Sequence, residues 1–204
     1  MHFTRSYQEL DDATKRKLDD LYTHFYYHRQ EGFWREKAMV KLPVLKAATD
    51  MLICGEDLGM VPDSVSGVMD ELGILRLAIQ RMPSDSSREF WHPADTPYLS
   101  VCSPSCHDMS TVRGWWEEED RDKIQRFYND LLGRQGEAPY FCDPGICRDI
   151  LVQHLYSPSM WSIFPIQDLV GMDERLRRQD AKAEQINVPA NPKHYWKFRF
   201  HLNL

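Results

Sequence analysis

Apolar residues recur at Leu18, Leu21, Tyr22, Phe25 and Tyr26, a spacing that puts them on one stripe of a helix. The pattern predicts an amphipathic helix over 13–30 and a second helix over 34–48. Between 50 and 54 it changes. Met51, Leu52 and Ile53 form a continuous apolar run that stops at Cys54-Gly55, the signature of a buried strand feeding a loop. Pro62-Asp63-Ser64 then opens a helix whose Val65, Val68, Met69 and Leu72 share a face, and Gly73 is placed to end it.

The alternation continues. Apolar runs over 74–79, 98–102 and 160–166 read as strands, 111–132 as one long helix closed by Gly133, and Asp143-Pro144 as the start of another. Four strands alternating with helices predict an α/β fold with a parallel sheet, whose sites lie at the C-terminal ends of the strands. The organisation expected is a helical lead-in over 1–49, four strand–helix units over 50–172 and an irregular tail over 173–204.

Composition narrows the partners. In 204 residues, 42% are hydrophobic and 12% aromatic, enough to bury a core and to exclude disorder along the whole chain. A net charge of -6, with no basic run longer than Lys15-Arg16-Lys17, argues against nucleic acid or an anionic membrane as partner. No stretch approaches the roughly 18 to 20 apolar residues of a membrane span, and the first residues lack the apolar core of a signal peptide. Five irregularly spaced cysteines suit free thiols, so the expected location is cytoplasmic.

Two constellations follow strands. Cys54-Gly55-Glu56-Asp57-Leu58-Gly59 places two acids between glycines at the rim of the sheet, where partial burial can raise a Glu pKa far enough for general acid work. The same acids serve equally as caps of the next helix. His107 and Asp108 follow the third strand. In an extended segment adjacent side chains point opposite ways, so these two are not expected to bond each other; Asp108 or Ser110 as a helix cap is the plainer reading. Zinc is a poor fit for Cys102, Cys106, His107, Cys142 and Cys147, because the spacing does not form knuckles. A Cys106 thiol nucleophile beside His107 fits less well still. Core packing is the expected place of most of the tryptophans, although Trp91, Trp115, Trp116, Trp161, Tyr195 and Trp196 have rings able to stack on sugars.

Several long segments carry a resemblance: LYTHFYYHRQEGFWREKAMVKLPVL (21–45), MLICGEDLGMVPDSV (51–65), AIQRMPSD (78–85), SVCSPSCHDMSTVRGWWEEE (100–119), PSMWSIFPIQDLVGM (158–172) and INVPANPKHYWKFRFHL (186–202). Together they resemble the C-terminal half of the 4-α-glucanotransferases of the amylomaltase family, in particular the plant-type disproportionating enzymes and their bacterial relatives. The resemblance implies the second half, about strands five to eight, of a (β/α)8 barrel. It implies retaining transfer of α-1,4-glucosyl units from maltose or maltodextrin to a glucan acceptor such as glycogen, without metal or organic cofactor. By the E-D-L-G motif Glu56 is then the acid/base, and by the H-D motif Asp108 stabilises the transition state. His107 matches the family's sugar-binding histidine. Asn187 and Pro189 match its Asn-x-Pro loop, although the chain reads Asn-Val-Pro-Ala-Asn where many relatives read Asn-Leu-Pro-Gly-Thr.

One part of the family pattern is absent. The nucleophilic Asp of its Arg-x-Asp-His motif lies upstream of the acid/base, and no such motif precedes Glu56. The expectation is therefore a half barrel, inactive alone, with open sheet edges and exposed apolar faces that favour self-association. The competing expectation is a non-catalytic piece that binds maltodextrin or serves structurally.

Overall fold

The computed structural model describes residues 1–59, 61–85 and 87–202, which divide into two units, Met1–Ile53 with Met60–Ile74 and Cys54–Gly59 with Leu75–Leu204. The first unit is helical: α1 Arg5–Gln8, α2 Asp12–His24, α3 Gln30–Ala47 and α4 Asp63–Leu72. Asp11 starts α2 by accepting the amides of Ala13 and Thr14, each at 3.0 Å. The break expected near residue 30 is not there. A widened π turn, Phe25–Arg29, carries α2 into α3 with helical dihedrals throughout. Along the predicted stripe Leu18 and Phe25 are half-buried, but Leu21 and Tyr26 remain 56% and 55% exposed, so the described residues leave part of that face uncovered.

α3 holds both ends of α4. Glu31 accepts the Ser64 amide at 2.9 Å, Arg35 pairs with Glu71 at 2.6 Å, and the Lys46 ammonium donates to the Leu72 carbonyl. Gly73 ends α4 in the left-handed region, φ 62°, as its position in the sequence requires. Val68 and Met69 are buried, with Val65 and Leu72 half-buried beside them.

The second unit contains the sheet: β1 Cys54–Gly55, β2 Leu75–Ile79, β3 Ser100–Ser103 and β4 Trp161–Ser162, in that spatial order and all parallel. The α/β expectation with four parallel strands holds. β1 is shorter than expected: the run meant for a buried strand leaves Met51 and Leu52 exposed, and only Cys54 and Gly55 pair, with Leu75 and Arg76. β1 and β4 are the edges of the described sheet.

Between β2 and β3 the alternation predicts a helix, but the described residues there form no α-helix, only a 3₁₀ turn, Pro93–Asp95. After β3 come α5 Val112–Glu118, α6 Arg121–Arg126 and α7 Pro144–Leu155. The long helix expected over 111–132 is interrupted because Glu119 and Asp120 adopt extended backbone, and Asp120 caps α6 by accepting the amides of Asp122 and Lys123. A second π turn, Phe127–Leu131, follows α6, and Gly133 has the left-handed conformation, φ 64°. Asp143 accepts the Ile146 amide at 2.9 Å and starts α7 with Pro144 in its first turn.

The core joins these helices. Trp115 and Trp116 from α5, Ile124 and Phe127, and Ile146, Cys147, Ile150 and Leu151 from α7 pack with Phe90. Phe127 meets Trp115 and Phe90 edge-on at 4.9 and 5.0 Å. α8 Ile166–Val170 and a 3₁₀ turn, Ala181–Glu184, complete the unit. No helix among the described residues is long and apolar enough to cross a membrane.

Candidate functional site at the C-terminal rim of the sheet

Because all four strands are parallel, their C-terminal ends share one rim. Glu56 follows the last residue of β1 and is exposed, not half-buried as expected; its Oε1 accepts the Leu58 amide at 2.8 Å. The burial falls on its neighbour. Asp57 turns inward, accepts the Leu77 amide of β2 at 3.0 Å, and has its pKa raised by burial, opposed by that amide and the Arg76 charge. Asp57 thus fastens the loop bearing Glu56 to the next strand, and Gly59 closes the loop at φ 85°, a conformation suited to glycine. A small recess opens beside the loop, lined by Asp57, Gly59, Arg76, Met82 and Trp91 among others. Neither acid caps α4, whose first-turn amide at Ser64 goes to Glu31.

The second constellation changes the picture drawn from sequence. His107 and Asp108 sit in a turn held by the Met109 amide on the Cys106 carbonyl at 3.4 Å. There His107 Nε2 lies 3.2 Å from Asp108 Oδ2. The expectation that they would not meet assumed an extended segment, and the turn removes that premise. Neither Asp108 nor Ser110 caps α5. Thr111 does so through Gly114, while Asp168 accepts the Val112 amide at 2.8 Å.

Asn187 completes the cluster from 79 positions downstream, its Nδ2 donating to Asp108 Oδ1 at 2.7 Å. Asp108 thus receives Asn187 on one oxygen and faces His107 with the other, while half of its side chain stays in solvent. The His107 ring also lies 5.6 Å from that of Trp196, which is exposed. Pro189 is exposed in the same tail. Trp115 and Trp116 are core residues, as expected of most tryptophans, whereas Trp161, Tyr195 and Trp196 are exposed.

Beneath the rim lie charged side chains that the sequence reading passed over. Arg113 and Glu184 form a buried pair, with Glu184 also accepting from Thr111 at 3.4 Å and from the Arg178 amide at 3.3 Å. This pair ties α5 to the segment that leads to Asn187. Asp168, almost fully buried, accepts from the Ser105 hydroxyl as well as from Val112; burial raises its pKa. Asp168 lies in α8, six positions beyond β4, and Arg81 two positions beyond β2, so neither is marked by the position directly after a strand that singles out Glu56. All five cysteines are free thiols; Cys142 and Cys147 lie 3.5 Å apart, and burial pushes the Cys142 thiol up. Among the described residues no three His, Cys, Asp or Glu side chains converge on a metal position.

Comparison with known proteins gives consistent results. Residues 1–203 match the family described as 4-alpha-glucanotransferase. The chain is 49% identical over 201 residues to the 4-alpha-glucanotransferase DPE2 of Oryza sativa subsp. japonica, covering 98% of this chain and 21% of that protein. A 4-alpha-glucanotransferase of Chlamydia muridarum is 31% identical over 163 residues, 76% of this chain and 29% of its own. The chain therefore spans less than a third of these relatives. The amylomaltase of Streptococcus agalactiae, solved in complex with acarbose, superposes on 78% of the chain and 29% of its own length, with a TM-score of 0.58 at 16% identity, a likeness of fold.

Proposed function

Because this chain belongs to the 4-alpha-glucanotransferase family, we propose that it supplies the acid/base side of a site transferring α-1,4-glucosyl units between maltose or maltodextrin and a glucan acceptor. The observation that carries the reading is the convergence of His107, Asp108 and Asn187 on the rim that also bears Glu56. Two inter-strand spacings, about 10 Å in all, separate the strands that carry Glu56 and Asp108. That is the width of a sugar ring with room for contacts on either side.

In this proposal Glu56 protonates the leaving glycosidic oxygen and then takes the proton of the acceptor hydroxyl. Its exposure gives it access to both. Asp108 holds sugar hydroxyls while positive charge builds at the anomeric carbon, oriented for this by the Asn187 amide. His107 contributes a further hydroxyl contact, and Pro189 belongs to the acceptor-side loop. No nucleophile is assigned within these 204 residues, since the sequence carries no Arg-x-Asp-His motif before Glu56. No metal or organic cofactor enters the scheme.

The same proposal takes the parallel sheet as the second half of a (β/α)8 barrel, strands five to eight. Supporting it are the edges of the described sheet, β1 and β4, with Trp161 and Ile163 exposed at β4. These edges also support self-association of the isolated chain. The free thiols support a cytoplasmic location.

Retardation in amylose-containing gels, run beside an assay for glucose release from maltose plus glycogen, tests the reading. The wild-type chain is expected to be retarded and Asp108→Ala not, with no glucose released by either. Absence of retardation in the wild type would overturn the site. Glucose release that disappears in Glu56→Gln would keep the role of Glu56 but overturn the placement of the nucleophile outside this chain.

A further inference from the structure

Arg81 stands just beyond β2, and its guanidinium faces the loop that follows β3. Its Nε donates to the Pro104 carbonyl at 3.3 Å, and its Nη2 to the Ser110 carbonyl at 2.7 Å and to the Met109 thioether at 3.2 Å. The three acceptors bracket the turn that presents His107 and Asp108. One face of the guanidinium lies over the Trp115 ring, 5.2 Å from its centre. Asp168, the nearby buried carboxylate, attracts the same cation while holding Ser105 and Val112, the two ends of the same loop. From these contacts we infer that Arg81 is a positioning residue: its planar fork fixes the conformation of the 104–110 loop and so sets where Asp108 and His107 stand.

Arginine suits this task and lysine does not. The rigid fork reaches carbonyls at both ends of the loop at once and stacks on an indole, whereas an ammonium is a single point of donation. Burial has a cost here, lowering the Arg81 pKa to about 10. A side chain kept charged against that penalty, with its donors spent on one loop, is organised around that loop. The effect of Arg81 on His107 and Asp108 passes through Pro104, Met109 and Ser110.

The relevance of this brace to sugar rests on the function proposed above, but the brace can be tested alone. Backbone hydrogen exchange would be compared in the wild-type chain, Arg81→Lys, Met109→Leu and Ile150→Val, the last a core change on α7 that lowers stability generally. Arg81→Lys is expected to speed exchange of peptides covering 104–110 by roughly tenfold relative to α7. Met109→Leu, which keeps volume and removes one acceptor, should give a smaller rise confined to the same peptides. Ile150→Val should raise α7 at least as much as the loop. Unchanged loop exchange in Arg81→Lys, or a rise that merely tracks α7 as in Ile150→Val, would overturn the inference. So would an Arg81→Lys chain that fails to fold while Met109→Leu leaves the loop unaltered. Maltoheptaose binding to the same variants separates the two claims: a loosened loop with unchanged binding sinks the proposed role of the loop in sugar recognition and leaves the brace standing.

Discussion

Replacing Arg113 with Met removes one member of a buried ion pair and leaves the other. Arg113 and Glu184 are 5% and 2% exposed, and Arg113 Nη1 donates both to Glu184 and, at 3.0 Å, to the Arg178 carbonyl. Without it Glu184 retains only the Thr111 hydroxyl and the Arg178 amide, at 3.4 and 3.3 Å. An uncompensated buried charge of this kind costs about 3–5 kcal/mol, and the two remaining donors place the expectation near the lower end, about 3 kcal/mol. That is a large share of the roughly 5–15 kcal/mol typical of a folded domain. Urea unfolding at pH 7 measures it. The double variant Arg113→Met with Glu184→Leu should recover most of the loss, since it removes the stranded charge. The pH sign follows from burial, which already raises the Glu184 pKa while Arg113 opposes the rise. Without Arg113 the carboxyl takes up a proton more readily, so the loss should shrink as the pH falls from 7 towards 5. Equal losses in single and double variants, or a loss independent of pH, would refute the reasoning.

His154, buried in α7, donates from Nδ1 to the Ile150 carbonyl at 2.7 Å, and burial lowers its pKa below the ordinary 6.5. The stability this neutral ring confers is complete above pH 6.5 and lost as the pH falls through the depressed value, so His154→Leu should flatten stability against pH in that acid range when followed by thermal melts. Asn187→Ala removes the donor that orients Asp108; because Asp108 is half-exposed the effect should be modest, about three- to tenfold weaker acarbose binding by calorimetry, with the melting temperature nearly unchanged. Concentration-dependent sedimentation is expected from the open edges at β1 and β4, and a compact monomer at high concentration would contradict self-association.

Much of the local structure was legible because its signals are local. Gly73 ends α4 through a left-handed conformation, and Asp143-Pro144 starts α7, both as residue chemistry requires. The break at Glu119-Asp120 was hidden, since helical periodicity runs through it and the capping role of Asp120 is disguised within the run Glu117-Glu118-Glu119-Asp120. The π turn at Phe25–Arg29 shifts the register of the stripe without leaving any residue that marks it. At the candidate site, the family resemblance named His107, Asp108 and Asn187 but not their convergence, which depends on a turn at 106–109 and on a contact across 79 positions. Arg81, Arg113, Asp168 and Glu184 escaped notice for a related reason: charge is assigned to the surface by default, and only the packed fold shows which charges are enclosed.

The most direct test of the proposed glucan site is an amide-resolved NMR titration of the chain with acarbose. Saturable shifts at Glu56, His107, Asp108 and Asn187, lost in Asp108→Ala, are the result predicted. An unchanged spectrum at millimolar acarbose, or shifts that avoid this rim, would contradict it.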